Sequence, residues 1–137
     1  MTTDATGPFT LDPDLRAWLT RELRYPVMAT LRADGSPSLS VMWAVIRDDG
    51  TVFMNTRRDR EKWRNLSRDP RVSLCFEDRL QYLTLEGRVT FRDDPECADI
   101  HAIRDHYRSH EDFSDQRGER VSLLMTVARV LRHLDED

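Results

Sequence analysis

Residues 27–57 read VMATLRADGSPSLSVMWAVIRDDGTVFMNTR, and this stretch decides the fold. Val27 to Arg32 and Pro37 to Arg47 are apolar, β-rich runs, and Ala33-Asp34-Gly35-Ser36 between them supplies a glycine for the positive φ of a tight hairpin. A second turn, Asp48-Asp49-Gly50, leads into Thr51–Asn55, so the reading is an antiparallel meander of three strands. Met42 and Trp43 adjoin on the second strand and must face opposite sides, one towards the core and one towards a pocket or a second subunit.

Working outward, the period of two is lost at Thr56. Trp63 and Leu66 then stand three apart among charges, which predicts a helix over Arg60–Ser67, capped by Asp59 and stopped by Asp69-Pro70. Strand character returns over Val72–Phe76 and Tyr82–Phe91. Asp12-Pro13 opens a short helix with Leu15, Trp18, Leu19 and Leu23 on one face, and Asp94-Pro95 opens another with Ile100, Ile103 and Tyr107 on one side. Ser109–Arg120 reads as a mobile polar loop, and the β-branched run Val121–Arg132 as the strand that completes the sheet. The expectation is one mainly β (α+β) domain over residues 1–137. Six antiparallel strands would close into a barrel with short flanking helices, since closure removes exposed edges.

Composition narrows the function. The formal charge of −4 speaks against a general nucleic-acid binder, which needs a basic excess. No apolar run has the length of a membrane span, and the first residues, MTTDATGPF, lack the basic and apolar regions of a leader, so a cytoplasmic protein is expected. Cys75 and Cys97 are too few for a disulfide framework or a zinc site. His101, His106, His110 and His133 read as surface histidines, and no metal site is expected. Trp18 reads as core, while Trp63 is divided between a subunit interface and the rim of a site.

Among 21 basic residues Lys62 is the only lysine, and it sits inside the bunch Arg57, Arg58, Arg60, Lys62, Arg64 where a strand gives way to a helix. A helix start carries free amides and the positive end of a dipole, so this is a local anion site. An arginine fork and a lysine point charge can clamp one phosphate from two sides. The same pattern also fits a solvated helix start whose arginines pair with Asp59, Glu61 and Asp69.

Three patterns in order, T-L-x-x-D-G-x-P at Thr30–Pro37, R-x-K-x-x-N-L-x-x-D-P-R at Arg60–Arg71 and L-E-G-x-V at Leu85–Val89, resemble the pyridoxamine-phosphate-oxidase-like family. The likeness runs from about Val27 to Phe91 and is strongest to the branch of F420-dependent split β-barrels. It implies a split β-barrel that works as a homodimer, holds coenzyme F420, or alternatively FMN, and passes a hydride between the ring and a small unsaturated or conjugated substrate. It places Ser38, Ser40, Val41 and Met42 under the ring, and Asn55, Thr56, Arg60, Lys62 and Asn65 along the ribityl chain and phosphate. Leu80, Gln81 and Tyr82 would reach a neighbouring subunit's cofactor. Arg57, Arg58 and Arg64 would serve the acidic tail of F420. A related barrel that binds haem without catalysis is the rival reading.

Overall fold

The computed structural model describes residues 2–4 and 11–135. Most of the polar start, residue 1 and residues 5–10, lies outside the described residues. Strands run over Thr2–Asp4 (β1), Val27–Leu31 (β2), Pro37–Val41 (β3), Val45–Ile46 (β4), Val52–Arg57 (β5), Arg71–Asp78 (β6), Gln81–Asp93 (β7) and Arg120–His133 (β8). Helices run over Pro13–Thr20 (α1), Glu61–Arg68 (α2) and Ala98–His106 (α3).

All pairings are antiparallel, in the order β3-β2-β6-β7-β8-β5-β4, with β1 alongside β8. The expected count of six therefore becomes eight among the described residues. One addition is β1; the other arises because Pro37–Arg47 is not one strand but two. The two ends of the sheet path, β3 and β4, are halves of the same ribbon, parted at Met42-Trp43-Ala44. No ladder joins them, so the sheet curls without closing: the closure expected from edge protection is corrected, while the split barrel implied by the resemblance is what forms.

The cause of the split lies far away in sequence. Met42 donates its amide to the Pro26 carbonyl (2.9 Å), and the Tyr107 hydroxyl takes the Ala44 amide at 2.9 Å. That hydroxyl has one proton to give and donates it to the Arg24 carbonyl at 2.6 Å, with the Ala44 carbonyl 3.0 Å away. One buried phenol thus satisfies backbone groups that a ladder would otherwise have taken, as burial requires.

The first hairpin closes as expected. Gly35 has φ +86°, its amide meets the Arg32 carbonyl at 2.9 Å, and Asp34 accepts from the Ser36 amide and hydroxyl. Alternation then sets the layers. Met28, Leu74, Leu83, Leu85, Leu123 and Met125 are fully buried on the concave face of the sheet, under α1. Leu23 falls outside α1, which ends at Thr20, and is exposed.

β5 is buried on both faces. Val52, Met54 and Thr56 face the core, whereas Phe53, Asn55 and Arg57 face the other way, opposite Leu124, Ser122 and Arg120 of β8. That second face is covered by α3 through Ile103 and Tyr107, and by Phe113 through Ile100 and Trp43. Ser109–Arg120 is accordingly more structured than a polar loop: it holds a 3-10 turn at Ser114–Gln116 and buries Phe113 and Arg120. The register of β7 shifts at Glu86/Gly87. Gly87 is obligatory there, because a Cβ would stand 1.9 Å from the Thr126 carbonyl oxygen.

Candidate cofactor site

The expected anion site forms where β5 passes into α2, but its details differ from the reading of the sequence. α2 starts at Glu61 with Arg60 in the cap position and no side-chain cap. Asp59 does not cap it; its carboxylate turns back to Arg57 (3.0 Å) and lies 3.9 Å from Arg60. Asp59 stands one residue before the cap position, and the Arg57 guanidinium offers it a full positive charge where the helix amides offer only a dipole end. The first amides of α2 are thereby left without a side-chain acceptor, next to Arg60 and Lys62.

Lys62 is half-buried, with Nζ 3.3 Å from the Met42 sulfur. Burial pushes its pKa down, and repulsion from Arg60 and Arg120 pushes the same way. Among the described residues no carboxylate pairs with it. Across the β5–β8 ladder Arg57 stands directly opposite Arg120, a like-charged pair that an antiparallel sheet disfavours. Arg57 Nε is buried without a partner. Arg57, Arg60 and Lys62 gather at this junction with few acids among them, so it is built to receive an anion, and Arg120 stands across the ladder towards α3.

Arg120 went unnoticed in the sequence because it closes a segment read as a polar loop. It is 8% exposed, donates from Nε to Asn55 Oδ1 (2.9 Å) and from NH1 to Gln116 Oε1 (2.8 Å), and its guanidinium lies 5.1 Å from the Phe113 ring centre. Asn55 in turn donates to Asp94 (3.1 Å) and to Ser122 Oγ (3.0 Å). Asp94 also receives the Asp99 and Ile100 amides, both at 2.9 Å, and so anchors the start of α3. Asn55 is therefore the hub that ties β5, β8 and α3 around Arg120.

The other expected residues distribute as follows. Ser38 and Ser40 lie on the inner face of β3, opposite Thr30 and Met28, and Ser38 donates to Glu61 at the head of α2. Val41 points outward at 65% exposure, whereas Met42 is buried. Both line a cavity of about 250 Å³ together with Trp43, Asn55, Phe113 and Arg120. Thr56 faces the core, away from that cavity. Asn65 lies between α2 and β2, donating to Thr30 Oγ1 (3.1 Å) and accepting from Arg68 (3.2 Å). Leu80 lies in the β6–β7 turn and Gln81 and Tyr82 open β7, all outside the lining of the cavity; Gln81 accepts the Asp135 amide and Tyr82 stacks on His133. Of the outer arginines, Arg58 reaches Asp93 and the Arg120 carbonyl, and Arg64 reaches the Asp59 carbonyl. Trp63 packs edge-on to Phe91 with ring centres 4.8 Å apart.

Comparison with known proteins now adds to this geometry. The profile of the family described as pyridoxamine 5'-phosphate oxidase matches residues 11–133. The chain belongs to that family. It is an oxidoreductase family, and this agrees with the resemblance read from the motifs. The pyridoxine/pyridoxamine 5'-phosphate oxidase of Acidothermus cellulolyticus is 43% identical over 68 residues, covering 44% of this chain and 30% of that protein. The chain thus matches less than a third of the length of this curated relative. An F420 reductase of solved structure superposes with a TM-score of 0.76 at 24% identity, over 84% of this chain and 94% of that one. A heme binding protein from Mycobacterium smegmatis superposes with a TM-score of 0.66 at 22% identity, over 84% of this chain and 50% of that one. At these identities both likenesses show the fold alone. In this member of the pyridoxamine 5'-phosphate oxidase family the split sheet and the strand-to-helix junction position the cations. No helix among the described residues is long and apolar enough to cross a membrane.

Proposed function

We propose that this chain is a reductase that works with coenzyme F420. The carrying observation is the cation cluster at an uncapped helix start, beside an apolar cavity. The residues fit a phosphate-bearing flavin-type cofactor. Buried Arg57 Nε lacks an acceptor and Lys62 lacks a counter-ion among the described residues, and a phosphate would supply both. Arg60 and Lys62 hold the phosphate. Ser40, Val41 and Met42 border the ring, with Ser38 held by Glu61 beside them. Asn55 acts by tying β5 to Asp94 and Ser122 behind the site and Asn65 through the seating of α2, while Thr56 fixes the strand from its core face.

The bound cofactor supplies hydride chemistry, and the protein orients it and excludes water. The substrate is a small unsaturated or conjugated molecule. Arg58 and Arg64 are occupied by internal partners, so contact with an acidic tail falls to exposed Arg60.

FMN is the second reading, since the same cations would hold its phosphate. Fluorescence titration of the protein with F420 and FMN side by side decides between them. Arg60→Ala/Lys62→Ala is expected to weaken cofactor binding at least about a hundredfold with the fold intact by circular dichroism. Unchanged affinity would remove the phosphate assignment. A haem spectrum on the purified protein, with no flavin or deazaflavin binding, would turn the reading to a haem-binding split barrel.

The second subunit belongs to the same proposal. On the outer face of the sheet the registers align Val41, Val27, Cys75, Thr84 and Leu131 in one row across β3-β2-β6-β7-β8. Leu39 beside them is 66% exposed. A homodimer buries this apolar row and brings its Leu80, Gln81 and Tyr82 to the neighbouring cofactor.

A further inference from the structure

We infer that the cavity beneath α3 seats the substrate, and that it selects planar, single-ring compounds bearing one carboxylate or similar oxyanion, held by Arg120. The word substrate rests on the oxidoreductase reading above; the binding itself does not.

Size comes first. About 250 Å³ falls just below the roughly 300–1,000 Å³ of pockets for drug-sized ligands. It is too small for a three-ring cofactor with its side chain and suits one ring. Shape comes second. Trp43 is clamped against Tyr107 (ring centres 5.4 Å apart, planes at 12°) and meets Phe113 edge-on at 6.3 Å and 88°. Ile100 and Ile103 complete an apolar slot with fixed aromatic walls.

Charge comes third. Arg120 lines this slot, is more than nine-tenths buried, and donates only to the neutral amides of Asn55 and Gln116. Among the described residues it enters no ion pair, and it faces Arg57 across the ladder. The nearby carboxylate of Asp94 is already used by Asn55 and the start of α3. A buried guanidinium without a counter-ion is costly, and an incoming carboxylate supplies the missing partner with matching fork geometry. Glu111, exposed on the lining, repels further negative charge and so favours a monoanion over a dianion.

The test uses protein free of cofactor, following tryptophan fluorescence during titration with sodium benzoate, benzamide and inorganic phosphate. Benzoate is expected to saturate, with benzamide at least about tenfold weaker. Arg120→Gln is expected to weaken benzoate about tenfold or more while F420 and FMN affinities change less than about threefold. Arg60→Ala/Lys62→Ala is expected to do the reverse. Should Arg120→Gln not fold, Arg120→Lys and the benzoate-induced rise in the melting temperature of the parent protein carry the same test. Equal binding of benzoate and benzamide would overturn the proposal. So would competition of inorganic phosphate with benzoate, or equal loss of FMN and benzoate in Arg120→Gln, either of which would assign Arg120 to the cofactor phosphate. Benzoate binding without any F420 or FMN binding would uphold this seat and overturn the cofactor reading instead.

Discussion

Replacing Tyr107 by phenylalanine removes one oxygen and tests the reason the ribbon splits. The ring stays, so its stack on Trp43 is preserved and the measurement isolates the hydroxyl. Two buried backbone groups lose their partner, the Ala44 amide (2.9 Å) and the Arg24 carbonyl (2.6 Å). Each orphaned group costs about 1–3 kcal/mol, and some relaxation towards water reduces the sum, so the expected loss is about 3 kcal/mol. For a domain of this size that is roughly a 10 °C fall in Tm. Thermal and urea unfolding by circular dichroism measure it. The pH dependence adds a second check. Burial raises the Tyr107 pKa above the ordinary 10.0 in the folded state. The folded protein therefore keeps a proton that the unfolded chain gives up, and this stabilisation is complete below pH 10 and lost as pH rises beyond it. Tyr107→Phe is expected to flatten that alkaline decline. A Tm within 2 °C of the parent, with roughly the same alkaline slope, would refute the role given to the hydroxyl.

Gly87→Ala puts a methyl group 1.9 Å from backbone at Thr126 and is expected to cost at least about 4 kcal/mol, seen as insoluble expression or a collapsed Tm. Gly35→Ala, which meets nothing within 4 Å but sits at φ +86°, should cost only about 1 kcal/mol. Arg71 holds Asp69 at about 2, below the usual 3.8. Its contribution is therefore present above pH 3.8 and lost as pH falls towards 2, and Asp69→Asn should flatten that limb of an acid-unfolding curve. Val41→Glu places a charge in the outer apolar row. For the proposed homodimer, sedimentation velocity should show two-chain species in the parent and single chains in the variant, and an identical profile for both would move the interface elsewhere.

Much of the fold was legible because it rests on local patterns. The Asp34-Gly35 and Asp49-Gly50 turns fix hairpin registers, and alternation in Val72–Phe76 and Tyr82–Phe91 marks the buried face. The break at Met42–Ala44 was not legible, since nothing near it in sequence announces it and its cause, Tyr107, is 63 residues away from Ala44. The expected Asp59 cap was undone by a neighbouring arginine that no spacing rule weighs. At the site, Lys62 stands out as the one lysine of the sequence and Arg60 by its place at the strand-to-helix junction. Arg120 and Ser122 do not, because polar residues alternating with Val121 and Leu123 suggest a wet face, and only the packing of α3 and Phe113 turns that face inward. Asn55 was noted for its position, but its hydrogen-bond partners at Asp94 and Ser122 come from distant segments.

The seam between β3 and β4 has a consequence for how such chains change over generations. In a ladder, adding or deleting one residue turns every side chain beyond it to the opposite face. Met42-Trp43-Ala44 lies between two ladders and belongs to neither. A residue gained or lost there leaves the β2–β3 and β4–β5 registers as they are, while reshaping the wall of the cavity that Met42 and Trp43 line. The same few residues can thus absorb length variation that the rest of the sheet forbids, and each such event alters which molecules fit.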